Sequence, residues 1–239
     1  MRFRFRLIPF IATVLLVALG VALGQWQDRR AHEKTERADL LAAQGRLAPL
    51  VLGAPRLKPS AVEYRRVVAT GAWVPEWATY LDNRPHDGRA GLYVLMPLRL
   101  AGTRMHVLVA RGWLPRDPAQ RDRIAPYATP EGEVTVSGVA VASMGNVMQL
   151  GEPASIKPGA ILQNLDTAAF SMASGLPVHP FFLQQEGEAP DTLVRAWPAP
   201  SLGVDKHKGY AFQWYALAVM ALLFFVITGF RSGKHKAEG

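Results

Sequence analysis

Lys206-His207-Lys208-Gly209 followed by YAFQWYALAVMALLFFVITGF, Tyr210 to Phe230, is the stretch that decides how the rest of the chain is read. Roughly 21 residues at ~1.5 Å of helical rise cover ~30 Å, the thickness of a bilayer's hydrocarbon. No charged side chain interrupts the run between Lys208 and Arg231, so a membrane-spanning helix is expected over 207–230. Helical periodicity puts His207, Tyr210, Ala211 and Trp214 on one face. An imidazole then sits at the mouth of the helix above two aromatic rings.

Working outward, Arg2, Arg4 and Arg6 precede a second apolar run, Leu7 to Gly24, broken only by Pro9 and Thr13. Ala22-Leu23-Gly24 would pass as a signal-peptide cleavage site, but the helical pattern continues through Gln25-Trp26-Gln27, which favours a retained span over 7–24. Gly20 and Gly24 form a small-xxx-small pair that is expected to let the second span approach closely. Basic residues flank the outer ends of both runs, with Arg231, Lys234 and Lys236 after the second. The positive-inside rule then places the tails 1–6 and 231–239 in the cytoplasm and carries 25–206 to the other side. The first span starts too near Met1 to leave room for an Arg- and Ser-rich transit peptide, so the expected location is a bacterial inner membrane with a periplasmic main domain.

Between the spans, a helix is expected over 25–44, with Glu33 and Arg37 at i,i+4 and Gly45 as its stop. Pro49, Pro55 and Pro59 mark a loop. From 62 to 196 the pattern is β-rich, with strands predicted at Glu63–Thr70, Ala78–Asp82, Leu92–Leu100, Met105–Trp113, Glu133–Val141, Ala160–Leu165 and near Pro180–Gln185, separated by Gly, Pro, Asn and Asp. One helix is predicted at Thr167–Ser174, with Asp166 as N-cap and Gly175 just past its end. The Pro-rich segment 197–206 reads as a stiff tether. The expected fold class is an α+β membrane protein: two transmembrane helices flanking an antiparallel β-rich extracytoplasmic domain, either a sheet or a small barrel.

Composition removes several function classes. The chain has 239 residues, a formal net charge of +8 and no cysteine, with a pI of about 10.0. The positive charge is spread without a basic stripe interleaved with aromatics, and topology accounts for it, so nucleic acid is not an expected partner. The absence of Cys excludes disulfides, thiolate metal sites and thioether haem attachment. His32, His86, His106, His179 and His235 show no ligand spacing, and Met144 with Met148 is read as packing rather than a soft-metal site. No Gly-x-Ser-x-Gly elbow, phosphate-cradling loop or His-Glu-x-x-His motif is present, so no enzyme is expected.

His207 remains the residue of interest. A helix N-terminus disfavours positive charge, so an imidazole there tends towards the neutral form that can donate a lone pair to iron. Haem is an apolar disc with two carboxylates, and Tyr210 and Trp214 would meet the disc while Lys206 and Lys208 stand beside it for the propionates. An interfacial histidine within an ordinary aromatic belt, joined by Trp26, fits the same residues. Both readings stay open on the residues alone. Gln213, about one turn further in, is expected to need a partner on a neighbouring helix or a ligand.

Six stretches in order carry a resemblance: Leu23-Gly24-Gln25-Trp26-Gln27 with Arg30 and Lys34; Tyr64-Arg65-Arg66-Val67 with Gly71 and Trp73; Tyr80-Leu81-Asp82-Asn83-Arg84; Gly91 to Pro97-Leu98; Val109-Ala110-Arg111-Gly112-Trp113-Leu114-Pro115; and His207 with Tyr210-Ala211-Phe212-Gln213-Trp214. Together, between two spans, they make the chain resemble the surfeit locus protein 1 family of cytochrome c oxidase assembly factors. The resemblance implies a non-enzymatic role in placing haem a into subunit I of the oxidase, with His207 as the iron ligand and contact with haem a synthase. Arg111 joins Lys206 and Lys208 as a candidate propionate partner, against a purely structural reading of the Arg111–Pro115 stretch. The chain departs from the family pattern at Asp205, where Asn is frequent, and at Lys208, where an apolar residue is frequent. The alternative is a scaffold that docks oxidase subunits and haem a synthase without holding haem.

Overall fold

The computed structural model describes residues 5–149, 151–198 and 204–234, and side chains within them except those of Arg37, Val204 and 231–234. Arg2 and Arg4, residues 199–203 of the Pro-rich tether and the tail from 235 lie outside the described residues. The chain divides into two compact units, one of Met1–Leu40 with Pro200–Gly239, the other Leu41–Ala199.

The first unit is a helix pair. Helix α1, Leu7–Arg46, runs through Gln25-Trp26-Gln27 without interruption. It is partnered by the chain's last helix, Val204–Lys234. Phe10 meets Phe225 at a 5.8 Å ring separation, whereas Gly24, further along α1, meets Tyr215. The two helices are therefore antiparallel. Both are long and apolar enough to cross a bilayer. On α1 the buried positions are Gly20, Gly24, Gln27 and Ala31, a stripe at i, i+4, i+7 and i+11 whose small residues let the backbones close together. A Cβ on Gly20 would lie 2.9 Å from both the Ala218 Cβ and the Trp214 carbonyl oxygen, so the close approach expected of Gly20 and Gly24 is present. Glu33 takes its charge partner from Arg30, three residues earlier, at 3.0 Å.

The second unit is built on a closed five-stranded barrel. Its strands in chain order are β1 Leu50–Val51, β2 Arg66–Trp73, β3 Thr79–Leu81, β4 Gly91–Leu100, β5 His106–Pro115, β6 Glu133–Val141, β7 Ile161–Leu162 and β8 Val178–Gln185, with short helices α2 Pro59–Val62 and α3 Thr167–Ser174; the last helix is α4. The ring runs β2–β6–β8–β5–β4 and closes through a β2–β4 pairing. Every ring pairing is antiparallel except β5 with β8, which is parallel at Leu108↔Phe182 and Val109↔Leu183. Closure needs Gly71: a Cβ there would stand 2.0 Å from the Arg99 carbonyl oxygen, so only glycine lets β2 and β4 meet.

Strand alternation separates two layers of core. Val67 and Ala69, Leu98 and Leu100, Val107 and Val109, Val136 and Ala140, and Phe181 and Leu183 come from all five ring strands and fill the interior. Their neighbours Leu95, Leu108 and Phe182 face outward, where Leu81, Leu162 and Phe170 cover them. Helix α3 is set as its sequence expects: the Asp166 carboxylate accepts from the Ala168 and Ala169 N–H groups, and Gly175 ends the helix at φ 71°. The fully buried Phe170 contributes about 1.5–3 kcal/mol by leaving water.

Strand β2 begins three residues later than the alternation suggests. Pro59 starts a helical turn, α2, and Tyr64 sits at φ +61°. That left-handed backbone breaks the regular extended run, although the Tyr64 N–H still donates to the Ala140 carbonyl of β6 at 2.7 Å.

Candidate functional site

Where α1 and α4 touch, two adjacent polar residues of α1 each hold a side chain of α4. His207 Nδ1 lies 2.6 Å from the Gln27 side-chain oxygen, and the Tyr215 hydroxyl donates to the Asp28 carboxylate at 2.8 Å. Gln27 continues the small-residue stripe and is only 9 % exposed. A buried amide costs free energy unless partnered, and His207 is its partner. Because an amide oxygen only accepts, Nδ1 must donate. In the neutral ring the lone pair is then on Nε2, which has no hydrogen bond among the described residues.

The rest of the expected cluster is arranged around this contact. Ala211 is buried in the seam, His207 and Trp214 are half-buried at its border, and Tyr210 stands 52 % exposed beside them. Lys206 and Lys208 are exposed. Asp205 lies in the first turn of α4, where negative charge is favoured. Gln213 is exposed rather than turned into the seam. Trp26 is exposed on α1, with the Arg30 guanidinium 5.9 Å from its ring centroid.

Among the described residues no three His, Asp or Glu side chains gather around one point, so a bare ion has no cage. A lone imidazole with a free Nε2 suits a metal that brings its own equatorial ligands, as in haem.

Arg111 belongs to a different environment. Its side chain is 1 % exposed and pairs with the equally buried Asp191 at 3.1 Å. It donates further to the Thr129 hydroxyl at 2.6 Å and the Ala128 carbonyl at 2.8 Å, with the Trp73 ring centroid 4.7 Å away. Burial pulls the guanidinium pKa down, and Asp191 opposes that shift. Its charge is thus already met by Asp191 inside the β-domain, which is the structural reading weighed for the Arg111–Pro115 stretch. Its companion residues also bond within the β-domain. Trp113 is buried and donates its indole N–H to the Arg84 carbonyl at 2.7 Å, while the Arg84 guanidinium bonds the Gly145 and Gln163 carbonyls.

Sequence reasoning missed Gln27 and Asp28 as partners of α4, together with Tyr215, Asp191 and Arg195. For Gln27 a signal existed: it falls where the Gly20, Gly24, Ala31 stripe demands a buried residue. Asp191 carries none, since it contacts Arg111 across 80 positions.

Two apolar helices in close antiparallel contact and a small closed β-barrel in the same chain define a two-helix β-barrel protein, with His207 held at the helix contact. The SURF1 family model matches residues 14–219. The chain therefore belongs to the SURF1 family. A SURF1-like protein of Rickettsia felis is 25% identical over 224 residues, covering 91% of this chain and 95% of that protein. A SURF1-like protein of Rickettsia conorii is 26% identical over 229 residues, covering 91% and 88%. The surfeit locus protein 1 of Takifugu rubripes is 28% identical over 141 residues, covering 53% of this chain and 58% of its own.

Proposed function

We propose that this chain is a non-enzymatic assembly factor of cytochrome c oxidase that holds haem a through His207 and passes it to subunit I of the oxidase. The observation that carries the reading is the His207 ring itself, tied at Nδ1 and open at Nε2, beside an exposed Tyr210 and two exposed lysines. Haem a, as cargo, would take His207 as an iron ligand, Tyr210 and Trp214 against the porphyrin, and Lys206 or Lys208 at a propionate. Arg111, already paired with Asp191, is left out of this reading.

The helix pair supports a two-span protein of the bacterial inner membrane. Antiparallel packing brings the start of α1 and the end of α4 to one side, which agrees with arginines and lysines retained in the cytoplasm at both ends. The β-domain then lies in the periplasm, with subunit I and haem a synthase as partners within or beside the bilayer. Family membership supports the oxidase as the client.

The test is oxidase assembly in a host deleted for this chain. Restoring the wild-type chain should return haem a to subunit I, and restoring His207→Ala should not. Full rescue by His207→Ala, with oxidase subunits still co-purifying, would favour the scaffold that never holds haem.

A further inference from the structure

Gln27 and His207 are 180 positions apart, yet their side chains meet at 2.6 Å where the buried Gln27 of α1 faces the half-buried His207 of α4. The seam leaves the imidazole little freedom. Gly20 and Gly24 hold the backbones close, and the Tyr215–Asp28 bond fixes α4 again two turns beyond His207. Trp26, the residue before Gln27, is exposed, so helical geometry alone turns Gln27 inward towards His207. We infer that Gln27 is a positioning residue: its amide oxygen holds His207 in the Nδ1–H tautomer and presents the Nε2 lone pair outward as a metal-binding atom. The inference rests on the proposed function only for what Nε2 receives.

The choice of glutamine has a chemical consequence. Metal-bound histidines commonly donate their other N–H to a carboxylate or carbonyl, which fixes the ring and raises its basicity. A neutral amide selects the same tautomer but holds and polarises the ring less strongly than a carboxylate does. A site that must release its metal group gains from that difference. Tight permanent binding would be served better by glutamate.

The experiment uses the full chain in detergent, with Gln27→Leu, Gln27→Glu and His207→Ala. In the metal-free protein at pH 8, where an ordinary imidazole is neutral, ¹⁵N spectra of the His207 ring, assigned by its loss in His207→Ala, report the tautomer. Wild type should carry its proton on Nδ1, and Gln27→Leu should show a mixture. A proton on Nε2 in wild type, or an unchanged ring in Gln27→Leu, would overturn the inference. Iron protoporphyrin then serves as probe: Gln27→Leu should weaken binding about 10- to 100-fold, and Gln27→Glu should lower the reduction potential of the bound iron. If wild type binds no porphyrin while the tautomer responds to Gln27, the haem reading fails and Gln27 stands as the residue that sets the ring. If porphyrin binds equally to wild type and both Gln27 variants, with unchanged potential, the haem reading stands and Gln27 is inert.

Discussion

A Cβ placed on Gly24 would lie 2.4 Å from the Tyr215 ring, and the hydroxyl of that same ring donates to Asp28, one turn along α1, at 2.8 Å. Gly24 makes the space and Asp28 fixes what fills it. The seam is therefore specified by one residue too small to interfere and one able to bind. His207 and Gln27 sit in the same seam and depend on its closeness.

The absence of native cysteine gives a clean test of that packing. In a Gly20→Cys/Ala218→Cys chain the two Cβ atoms start 2.9 Å apart by the present backbone, and a small relaxation reaches the ~3.8 Å typical of a disulfide. Oxidation should close a cross-link within one molecule, seen as faster migration on a non-reducing gel. Adding Gly24→Leu should suppress it by driving Tyr215 away.

The Arg111–Asp191–Arg195 group should behave as a structural ion cluster. Asp191 accepts from Arg195 at 2.6 Å as well as from Arg111. Asp191→Ala would leave two guanidinium groups in a dry site, and breaking a buried pair costs about 3–5 kcal/mol. Arg111→Met with Asp191→Leu should cost less than Asp191→Ala. Urea unfolding of the full chain followed by Trp fluorescence measures both.

Acid should weaken the β-domain through two histidines. Burial pulls the pKa values of His106 and His179 below their ordinary 6.5, and nearby Arg99 and Arg56 add to the respective shifts. His179 also has an Nδ1 with no partner, so protonation would bury an unpaired N–H. As pH falls through about 6.5 the unfolded chain binds protons before the folded one, so stability is full above that value and lost towards the lowered folded values. The thermal midpoint should drop between pH 7.5 and 5.5, with a smaller drop in His179→Leu. A midpoint that holds or rises on acidification would contradict this.

Periodicity made the two long helices and most strands legible because each carries its signal locally: an unbroken apolar run, or alternation ended by turn residues. Asp166 and Gly175 likewise announced α3, since caps act over a few residues. What stayed hidden is long-range. Nothing in β5 or β8 marks their pairing as parallel, and Gly71 reads as an ordinary strand glycine until the Arg99 carbonyl is found against it. His207 stood out by its place at a helix mouth, whereas Gln27 needed the α1 stripe to be aligned with α4. Arg111 left two readings open because a charged residue in a motif suggests a ligand, while its partner Asp191 lies 80 positions away.

The most direct measurement of the central claim is the visible spectrum of detergent-purified chain, wild type and His207→Ala, from a host that makes haem a. Wild type should show a Soret band that is lost or shifted in His207→Ala, with Arg111→Met retaining it wherever the protein folds. A colourless wild type that still carries oxidase subunits, or a band unchanged by His207→Ala, would contradict it.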